Sequence, residues 1–411
     1  MKPPRKLSKR KLSPVTTAIV LIAVLGAVLY VYTKGLLGEK KAGGAPMGGG
    51  AGPQGQPIPP RGLPDALAST VAGYREPGLV DGKGWEARFN GPAGIAAGPD
   101  GSLFVADGRN HRLRRVAPDT TVTTIAGSGP ADSLPGGFAD GPADRARLFN
   151  PSGVAVGPDG SIYFADSGNH RVRCLKDLMV TTVAGSATEK DESGCEQGGY
   201  RDGPAATAQF RFPTGVALAP DGSIWVADAG NRKIRRIAGD AVSTVAAPGL
   251  KQPVGLALGP GGALAIADPG AGVVWMLAPG GKPTPAARGG LPPKTPLGLC
   301  ALAADPNTLA VVDGEWSVVH LVGRSTSVLL AGELPAAPML NFRDGGGHEA
   351  WFAWPCGVAS VDDRLYVADY ENNCIRAITV PPNWAAPPPP PEAGPPRRGW
   401  RTRGEENRSE D

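Results

Sequence analysis

The chain is poor in the residues that most active sites use. Its 411 residues include only four histidines and five cysteines, and 19% of them are charged. It has no P-loop and no G-x-S-x-G, H-E-x-x-H or C-x-x-C pattern. These absences exclude the phosphate-cradling loop, the nucleophile elbow, the helical zinc-protease site and the dithiol redox site in their usual encoded forms.

Positive charge is also scarce outside one short segment. The formal net charge is +4, but six cations lie within the first eleven residues: Lys2, Arg5, Lys6, Lys9, Arg10 and Lys11. Without these six, the chain has 36 basic and 38 acidic residues. Since no basic footprint extends over the chain, no nucleic-acid partner is expected.

One long apolar run follows the six cations. Val15 to Tyr32 are eighteen residues without a charge, about the minimum that spans a bilayer. They predict a signal-anchor helix over 12–33, a cytoplasmic segment over 1–11, and a single-pass protein of the inner (plasma) membrane whose remainder lies outside the cytoplasm. The rival interpretation is a cleaved signal peptide. Gly/Pro-rich residues 34–66 predict a flexible linker, and Pro-rich residues 382–411 a disordered tail.

The chain is rich in glycine and proline, and it repeats itself. An Asp recurs at the end of an apolar stretch and before a polar turn, as in "ADSGNHRVR", residues 165–173. The six copies are Asp107, Asp166, Asp228, Asp268, Asp313 and Asp369. The Asp persists, whereas His170 is replaced by Arg232 and Asn373 in other copies. We therefore expect a structural Asp that accepts hydrogen bonds from N–H groups of the following turn, with Asn169 in the left-handed conformation.

Each repeat unit predicts four antiparallel strands. A proline begins a short strand, a P-D-G-type turn leads to a second strand that ends at the Asp, and two further strands follow. Such a unit of about 40 residues is typical of a propeller blade, so six units predict an all-β, six-bladed propeller. The last unit lacks its fourth strand, and a spare copy, "STVAG", lies at 69–73. This N-terminal strand is expected to close the ring.

A second pattern precedes four of the units. A D-G pair is followed by Ala at +6, a large apolar residue at +8 and Pro at +11. The insert Asp residues are Asp81, Asp140, Asp202 and Asp344. The constant spacing predicts a loop pinned into the core by its +8 residue, and units four and five lack it. Strand connectivity places the inserts and the Asp loops on one face, where binding usually resides.

The units resemble NHL repeats, on the triplets Asn110-His111-Arg112 and Asn169-His170-Arg171, over about residues 67–381. The resemblance implies a propeller that serves most often as a binding platform, within a wider group that includes amidating lyases and lactonase-like hydrolases. We expect a membrane-anchored monomer that binds protein, peptide or glycan, with no catalytic residue or cofactor assigned. The alternative is a lyase or hydrolase that holds Ca or Zn in the central channel.

Aromatic residues of the inserts are candidate anchors for such a partner, because Trp and Tyr dominate binding hot spots. They are Tyr74, Trp85, Tyr200, Trp351 and Trp354. The alternative is that these side chains only pack the inserts against the blades.

Two further expectations concern charge and cysteine. The cations of the third strands, Arg114 and Arg173 among them, are interpreted as ordinary solvated strand edges. Outside the cytoplasm disulfides are permitted, and Cys356 and Cys374 should lie near the same face. A Cys356–Cys374 bond is therefore a candidate, and a Cys174–Cys195 bond is a second one.

Overall fold

The structure is a computed structural model that describes residues 63, 65–131, 136–187, 189–190, 195–287, 290–323, 326–334, 342–382 and 384. The predicted membrane segment 12–33, nearly all of the linker 34–66 and nearly all of the tail 382–411 lie outside these residues. Within the described part of the chain, no helix combines the length and apolarity needed to cross a membrane.

Six antiparallel sheets form the blades of one propeller. In five of them the four main strands follow in chain order from the axis outward, and in blade 6 the fourth is supplied by the N-terminal strand. Blade 1 comprises Pro92–Ala97, Leu103–Asp107, Arg112–Val116 and Thr121–Ala126. Blade 2 comprises Pro151–Val156, Ile162–Asp166, Arg171–Lys176 and Met179–Ala184. Blade 3 comprises Pro213–Leu218, Ile224–Asp228, Lys233–Ala238 and Ala241–Val245. The prediction of an all-β, six-bladed propeller is confirmed.

The remaining blades follow the same order. Blade 4 comprises Gly255–Leu258, Leu264–Asp268, Val273–Leu277 and Thr284–Pro285. Blade 5 comprises Pro296–Ala301, Leu309–Asp313, Val318–Val322 and Ser327–Ala331. Blade 6 comprises Pro355–Val361, Arg364–Asp369, Cys374–Thr379 and, from the N-terminal side, Leu67–Gly73. Short 3-10 helices span Gly84–Glu86, Gly108–Asn110, Ser167–Asn169, Ala229–Asn231 and Pro260–Gly262.

The ring is closed by the N-terminal strand. Leu67–Gly73 pairs antiparallel with Cys374–Thr379, so the outer strand of blade 6 comes from the beginning of the propeller. Since this pairing covers the free edge of the last blade, it removes a surface on which another chain could add a strand.

The inner strands meet around the axis through a ring of glycines, one from each blade: Gly94, Gly153, Gly215, Gly255, Gly298 and Gly357. A Cβ built on Gly94 would lie 2.0 Å from the carbonyl oxygen of Ser152 in blade 2. The ring is completed by Gly357, since a Cβ built there would lie 2.3 Å from the Ala93 carbonyl oxygen in blade 1. Because each glycine admits the backbone of the next blade, any side chain there must push two inner strands apart.

Candidate functional site

The repeat Asp is a buried hub that joins three parts of a blade. In blade 2, Asp166 accepts hydrogen bonds from the Phe149 N–H at 2.8 Å, the Asn169 amide at 2.8 Å and the Arg173 guanidinium at 2.7 Å. Blades 1, 3 and 6 repeat this arrangement around Asp107, Asp228 and Asp369. The hub ties the end of the insert, the Asp loop and the third strand together.

The arginine of each hub is held between two carboxylates. Arg173 is fully buried and also donates to the insert residue Asp140 at 2.7 Å, while Asp140 accepts the Thr182 N–H at 3.0 Å. The same guanidinium donates to the insert carbonyls of Ala139 and Arg147 at 2.6 and 2.7 Å. The prediction of solvated strand edges is therefore wrong for the hub arginines Arg114, Arg173, Arg235 and Arg376, and it is also wrong for Arg112 and Arg171, which are buried as well.

Opposing effects act on the repeat carboxylates. In blade 1, burial raises the pKa of Asp107 to about 6, while the Arg114 guanidinium, the Asn110 amide and the Asn90 N–H act to lower it. Asp107 is therefore ionised at neutral pH, and its charge is matched by Arg114 at 2.8 Å. A buried charge with this many partners organises the blade, and it is not available for chemistry.

The four inserts cross the loop face of their own blades. Each adds a two-residue strand outside the outermost strand: Gly82–Lys83, Gly141–Pro142, Gly203–Pro204 and Gly345–Gly346. Each then runs inward to the axis. The +6 alanines and the +8 residues Phe89, Leu148, Phe210 and Phe352 are buried, as expected for a loop pinned into the core.

Blades 4 and 5 have neither the insert nor the arginine. The position seven residues after the Asp, occupied by Arg in the other blades, is Trp275 in blade 4 and His320 in blade 5. Here Asp268 accepts the Ala271 N–H at 3.1 Å and Asp313 accepts the Trp316 N–H at 3.0 Å. The expected bonds to N–H groups of the following turn are thus found in these two blades. In the other four, the Asn side chain makes the bond to the Asp.

The fourth residue after the Asp latches one blade to the next. A side-chain acceptor at this position receives the backbone N–H of the residue that precedes the inner-strand proline of the following blade. The contacts are Asn150 N to His111 Nδ1 at 3.1 Å, Phe212 N to His170 Nδ1 at 3.0 Å, Gly91 N to Asn373 Oδ1 at 2.9 Å and Trp354 N to Ser317 Oγ at 3.3 Å. Every blade that receives a latch carries an insert.

The latch position also holds the left-handed backbone conformation. His111, His170 and Arg232 all have φ of 57° and Asn373 has φ of 52°. The assignment of the left-handed conformation to Asn169 was wrong by one residue, because Asn169 lies in the 3-10 helix and bonds Asp166. His170 accepts at Nδ1, so its proton is on Nε2, which donates to the Glu196 carbonyl at 3.0 Å.

The five candidate anchors lie at separate places on the inserts. Tyr200 packs under Arg235 at 5.0 Å, and its hydroxyl lies 2.9 Å from Thr244 Oγ1. Trp351 donates its Nε1 hydrogen to Glu333 at 3.1 Å. Trp354 supplies the N–H latched by Ser317, and the ring of Tyr74 lies 6.2 Å from Phe342. Trp85 is 71% exposed, in the short helix of the first insert.

None of the five cysteines forms a disulfide in the structure, so neither candidate bond is present. Cys374 is buried in the third strand of blade 6. Cys356 lies in the inner strand of the same blade, where burial raises its pKa and its thiol lies 3.4 Å from the Trp354 carbonyl.

A cavity of about 470 Å³ opens around the axis, and all six blades contribute to its wall. Most of the wall is apolar, with side chains such as Ile95, Val216 and Leu299 from the inner strands. Residues of the Asp loops and insert ends lie around its mouth: Asn150, Ser167, Arg211, Phe212, Ala229, Arg232 and Tyr370. The cavity, called the axial funnel below, therefore opens on the loop face.

Sequence reasoning placed the binding surface on this face but missed the funnel residues. None of the five candidate anchors belongs to the funnel wall. One signal was available in the sequence: Arg232 occupies a position at which other blades have His or Asn. The hub arginines could also have been recognised from the sequence, because an Arg follows the repeat Asp by seven residues in four of the six copies.

The side chains of the funnel wall show whether it could hold the metal ion that the enzyme alternative requires. Its described wall contains no Asp, Glu or His side chain, and Cys356 is its one thiol. Across the described ranges, no three His, Cys, Asp or Glu residues form a group that could hold a metal ion. The residues present do not fit the channel-bound Ca or Zn of the alternative interpretation.

The NHL repeat family matches four segments of the chain, residues 89–115, 150–175, 210–237 and 352–378. These segments belong to blades 1, 2, 3 and 6, the four with an Asp–Arg–Asp hub. Among curated proteins, the chain is 32% identical to Protein SUPPRESSOR OF QUENCHING 1, chloroplastic, of Arabidopsis thaliana, over 39% of this chain and 16% of that protein. It is 33% identical to NHL repeat-containing protein 2 of Bos taurus, over 38% of this chain and 22% of that protein. The chain thus spans about a fifth of these relatives or less.

Solved structures share the architecture at low identity. An auxiliary nutrient binding protein from Bacteroides thetaiotaomicron superposes with a TM-score of 0.56 and 14% identity, covering 76% of each chain. Virginiamycin B lyase from Staphylococcus aureus superposes with a TM-score of 0.50 and 13% identity, covering 77% of this chain and 99% of that chain. At this identity the likeness concerns the fold alone. The chain therefore carries NHL repeats within a six-bladed β-propeller.

Proposed function

We propose that the propeller is a ligand-binding module whose ligand enters the axial funnel from the loop face. The observation that carries this proposal is the funnel itself, an open cavity of about 470 Å³ with apolar walls and a few polar groups at its mouth. This size and lining are typical of binding sites for small ligands or for the end of a larger one. The hubs and latches hold the mouth residues on a rigid frame.

The surrounding face favours a protein, peptide or glycan as the source of that ligand. Blades 6, 1, 2 and 3 carry inserts and blades 4 and 5 do not, and in this proposal an extended chain reaches the funnel from the side of blades 4 and 5. Two solved propellers described as auxiliary nutrient binding proteins, from Bacteroides thetaiotaomicron and Bacteroides ovatus, share the fold. They support a binding role on this architecture without naming a ligand for this chain.

We further propose that residues 12–33 anchor the module in the inner membrane with the propeller outside the cytoplasm. The uncharged run from Val15 to Tyr32 and the six cations before it support this arrangement. The full chain with a C-terminal epitope tag should be found in the membrane fraction. Protease added to intact spheroplasts should digest the tag. A tag that is protected until the cells are lysed would contradict the proposed orientation.

The funnel itself is tested by site-specific crosslinking in cells that express the full chain. A photoreactive residue at Ala93 or Thr214 lies in the funnel wall, and one at Pro220 lies at a P-D-G-type turn on the opposite face. We expect an adduct from the funnel positions only, and its loss when Ser152→Phe narrows the cavity. Ala206→Phe, which adds the same ring at an exposed insert position, should leave the adduct intact.

Two outcomes would count against the binding module. Equal adducts from both faces, or none from the funnel, would remove the support for a ligand there. A stoichiometric metal in the purified full chain, lost on substitution of funnel residues, would favour the lyase or hydrolase alternative.

A further inference from the structure

The mouth of the axial funnel carries positive charge that the described chain does not neutralise. Arg211 and Arg232 are the charged side chains of the described wall, and no Asp or Glu lies among its residues. Some arginines of the propeller have acidic partners, as in Arg115–Asp100 at 2.9 Å and Arg236–Asp221 at 2.6 Å. Neither Arg211 nor Arg232 forms such a pair among the described residues, so their charge remains available to an anion from outside the chain.

The two arginines come from two segments of blade 3 that pack together, since Arg211 ends the insert and Arg232 ends the Asp loop. The backbone N–H of Arg211 donates to Asp228 at 2.7 Å, at the end of the insert of blade 3. Gly230 lies against the stem of Arg211, since a Cβ at this glycine would meet Arg211 Cγ at 2.7 Å. Arg232 follows two residues later. The packing at Gly230 thus brings two cationic side chains to one side of the mouth.

Arg232 is not explained by the architecture of the ring. Its position is the latch position, where His111, His170 and Asn373 accept an N–H from the next blade. The next blade here is blade 4, which has no insert. Arg232 nevertheless keeps the left-handed φ of 57°, a conformation in which Asn, Asp and His are the favoured non-glycine residues. Neither turn geometry nor latching accounts for a guanidinium at this position.

Resting on the proposed function, we infer that the funnel binds an organic carboxylate with an apolar body, specifically the C-terminal end of a peptide with an apolar last residue. The guanidinium groups of Arg211 and Arg232 bind the carboxylate, and planar guanidinium matches carboxylate geometry. The apolar wall, which includes Val216 of blade 3 and Leu256 of blade 4, receives the last side chain. The open side over blades 4 and 5 leaves room for the rest of the peptide.

The test compares two probes that differ in one charge. N-acetyl-Val-Phe has a free carboxylate, and N-acetyl-Val-Phe-amide does not. Titration calorimetry of the full chain in detergent should show the acid binding about tenfold or more tighter than the amide, since a charge-assisted contact is worth that much or more. This preference should shrink as salt is raised, because the mouth is exposed to solvent.

A matched pair of double variants assigns the effect to the two arginines. Arg211→Gln with Arg232→Gln should lower the affinity for the acid to that for the amide, and so abolish the preference. The control, Lys233→Gln with Arg145→Gln, removes the same charge from exposed residues outside the funnel and should keep the preference.

Each other result points to a different failure. Equal affinity of acid and amide for the unmodified chain overturns this inference and leaves the binding module standing. A methyl glucuronide that binds as tightly as the acid, and more tightly than methyl glucoside, overturns the apolar peptide end as the ligand. Absence of binding by every probe would overturn the inference and count against a ligand site in the funnel.

Discussion

Blades 1, 2, 3 and 6 are built differently from blades 4 and 5, although all six share one strand order. The first group has an insert with an Asp, and a buried arginine between that Asp and the repeat Asp. The second group keeps only the repeat Asp, which bonds its own turn. Within one chain, the same architecture thus exists with and without a buried ionic network.

The difference shows that the insert and the arginine form one unit. A buried guanidinium needs partners for its donors, and the insert supplies a carboxylate and two backbone carbonyls in blade 2. Without an insert these partners are missing, and the position is filled by Trp275 or His320. The four segments that match the NHL repeat lie in the four blades that have the hub, so they follow the same division.

The largest expected effect comes from removing one hub carboxylate. Asp166→Asn leaves Arg173 buried without its inner counter-ion and should lower the free energy of unfolding by about 3–5 kcal/mol. Asp268→Asn, the matched change in blade 4, leaves no buried charge and should cost about 1–3 kcal/mol. Urea denaturation of both variants measures the difference. Equal losses would show that the hub arginine is not dependent on its carboxylates.

The converse prediction concerns blade 5, where a buried arginine can be introduced without an insert. His320→Arg places a guanidinium beside Asp313 without an insert, and should destabilise the protein by about 3 kcal/mol or more. His320→Leu is the control. Neither ring nitrogen of His320 has a hydrogen-bond partner among the described residues, so leucine should cost less than about 1 kcal/mol. The midpoint of thermal unfolding distinguishes the two, and a stable His320→Arg protein would contradict the dependence on the insert.

The glycine ring around the axis should contribute equally to stability in blades with and without an insert. A Cβ built on Gly153 in blade 2 would lie 2.3 Å from a backbone oxygen of the next blade, and a Cβ built on Gly255 in blade 4 would lie 2.1 Å from one. Alanine at either position should destabilise the fold by about 2 kcal/mol or more, to a similar extent. Gly259→Ala, with its nearest neighbour atom at 3.7 Å, is the control and should cost little. A loss confined to one blade, measured by urea denaturation, would mean that the ring is not equally tight all round.

Much of this architecture could be predicted from the sequence, because it recurs at fixed spacing. The six Asp copies, the strand order, closure by residues 69–73 and the buried +8 residue of the insert all follow from periodic signals. The partners of the hub were missed because they lie about 33 residues apart, as Asp140 and Arg173 do. The axial funnel was missed because its wall is assembled from short segments of all six blades, so no local pattern marks it.

The smallest expected effect concerns the latch between blades. His170→Ala leaves the Phe212 N–H without its acceptor and should cost about 1–3 kcal/mol at pH 7.5. His170→Asn keeps an acceptor, as Asn373 does in blade 6, and should cost less. Arg232→Ala, at the matching position before a blade without an insert, should change the free energy of unfolding by about 0.5 kcal/mol or less. Equal losses for His170→Ala and Arg232→Ala would rule out the latch.

The same residue gives the latch a pH dependence with a definite sign. Burial lowers the pKa of His170 to about 4, whereas an unfolded histidine titrates near 6.5. Between these values the unfolded chain binds more protons, so the contribution of His170 is complete above about pH 6.5 and is lost as the pH falls towards 4. Burial also lowers the pKa of His320 and raises the pKa of Asp107, so other groups contribute to the pH dependence of stability. The effect of His170 is therefore taken from the difference in the free energy of unfolding between the unmodified protein and His170→Asn. Urea denaturation from pH 7.5 to 4.5 should show a shallower loss of stability in the variant. Parallel curves would mean that folding does not lower the pKa of His170, which would contradict an Nδ1 that accepts the Phe212 N–H.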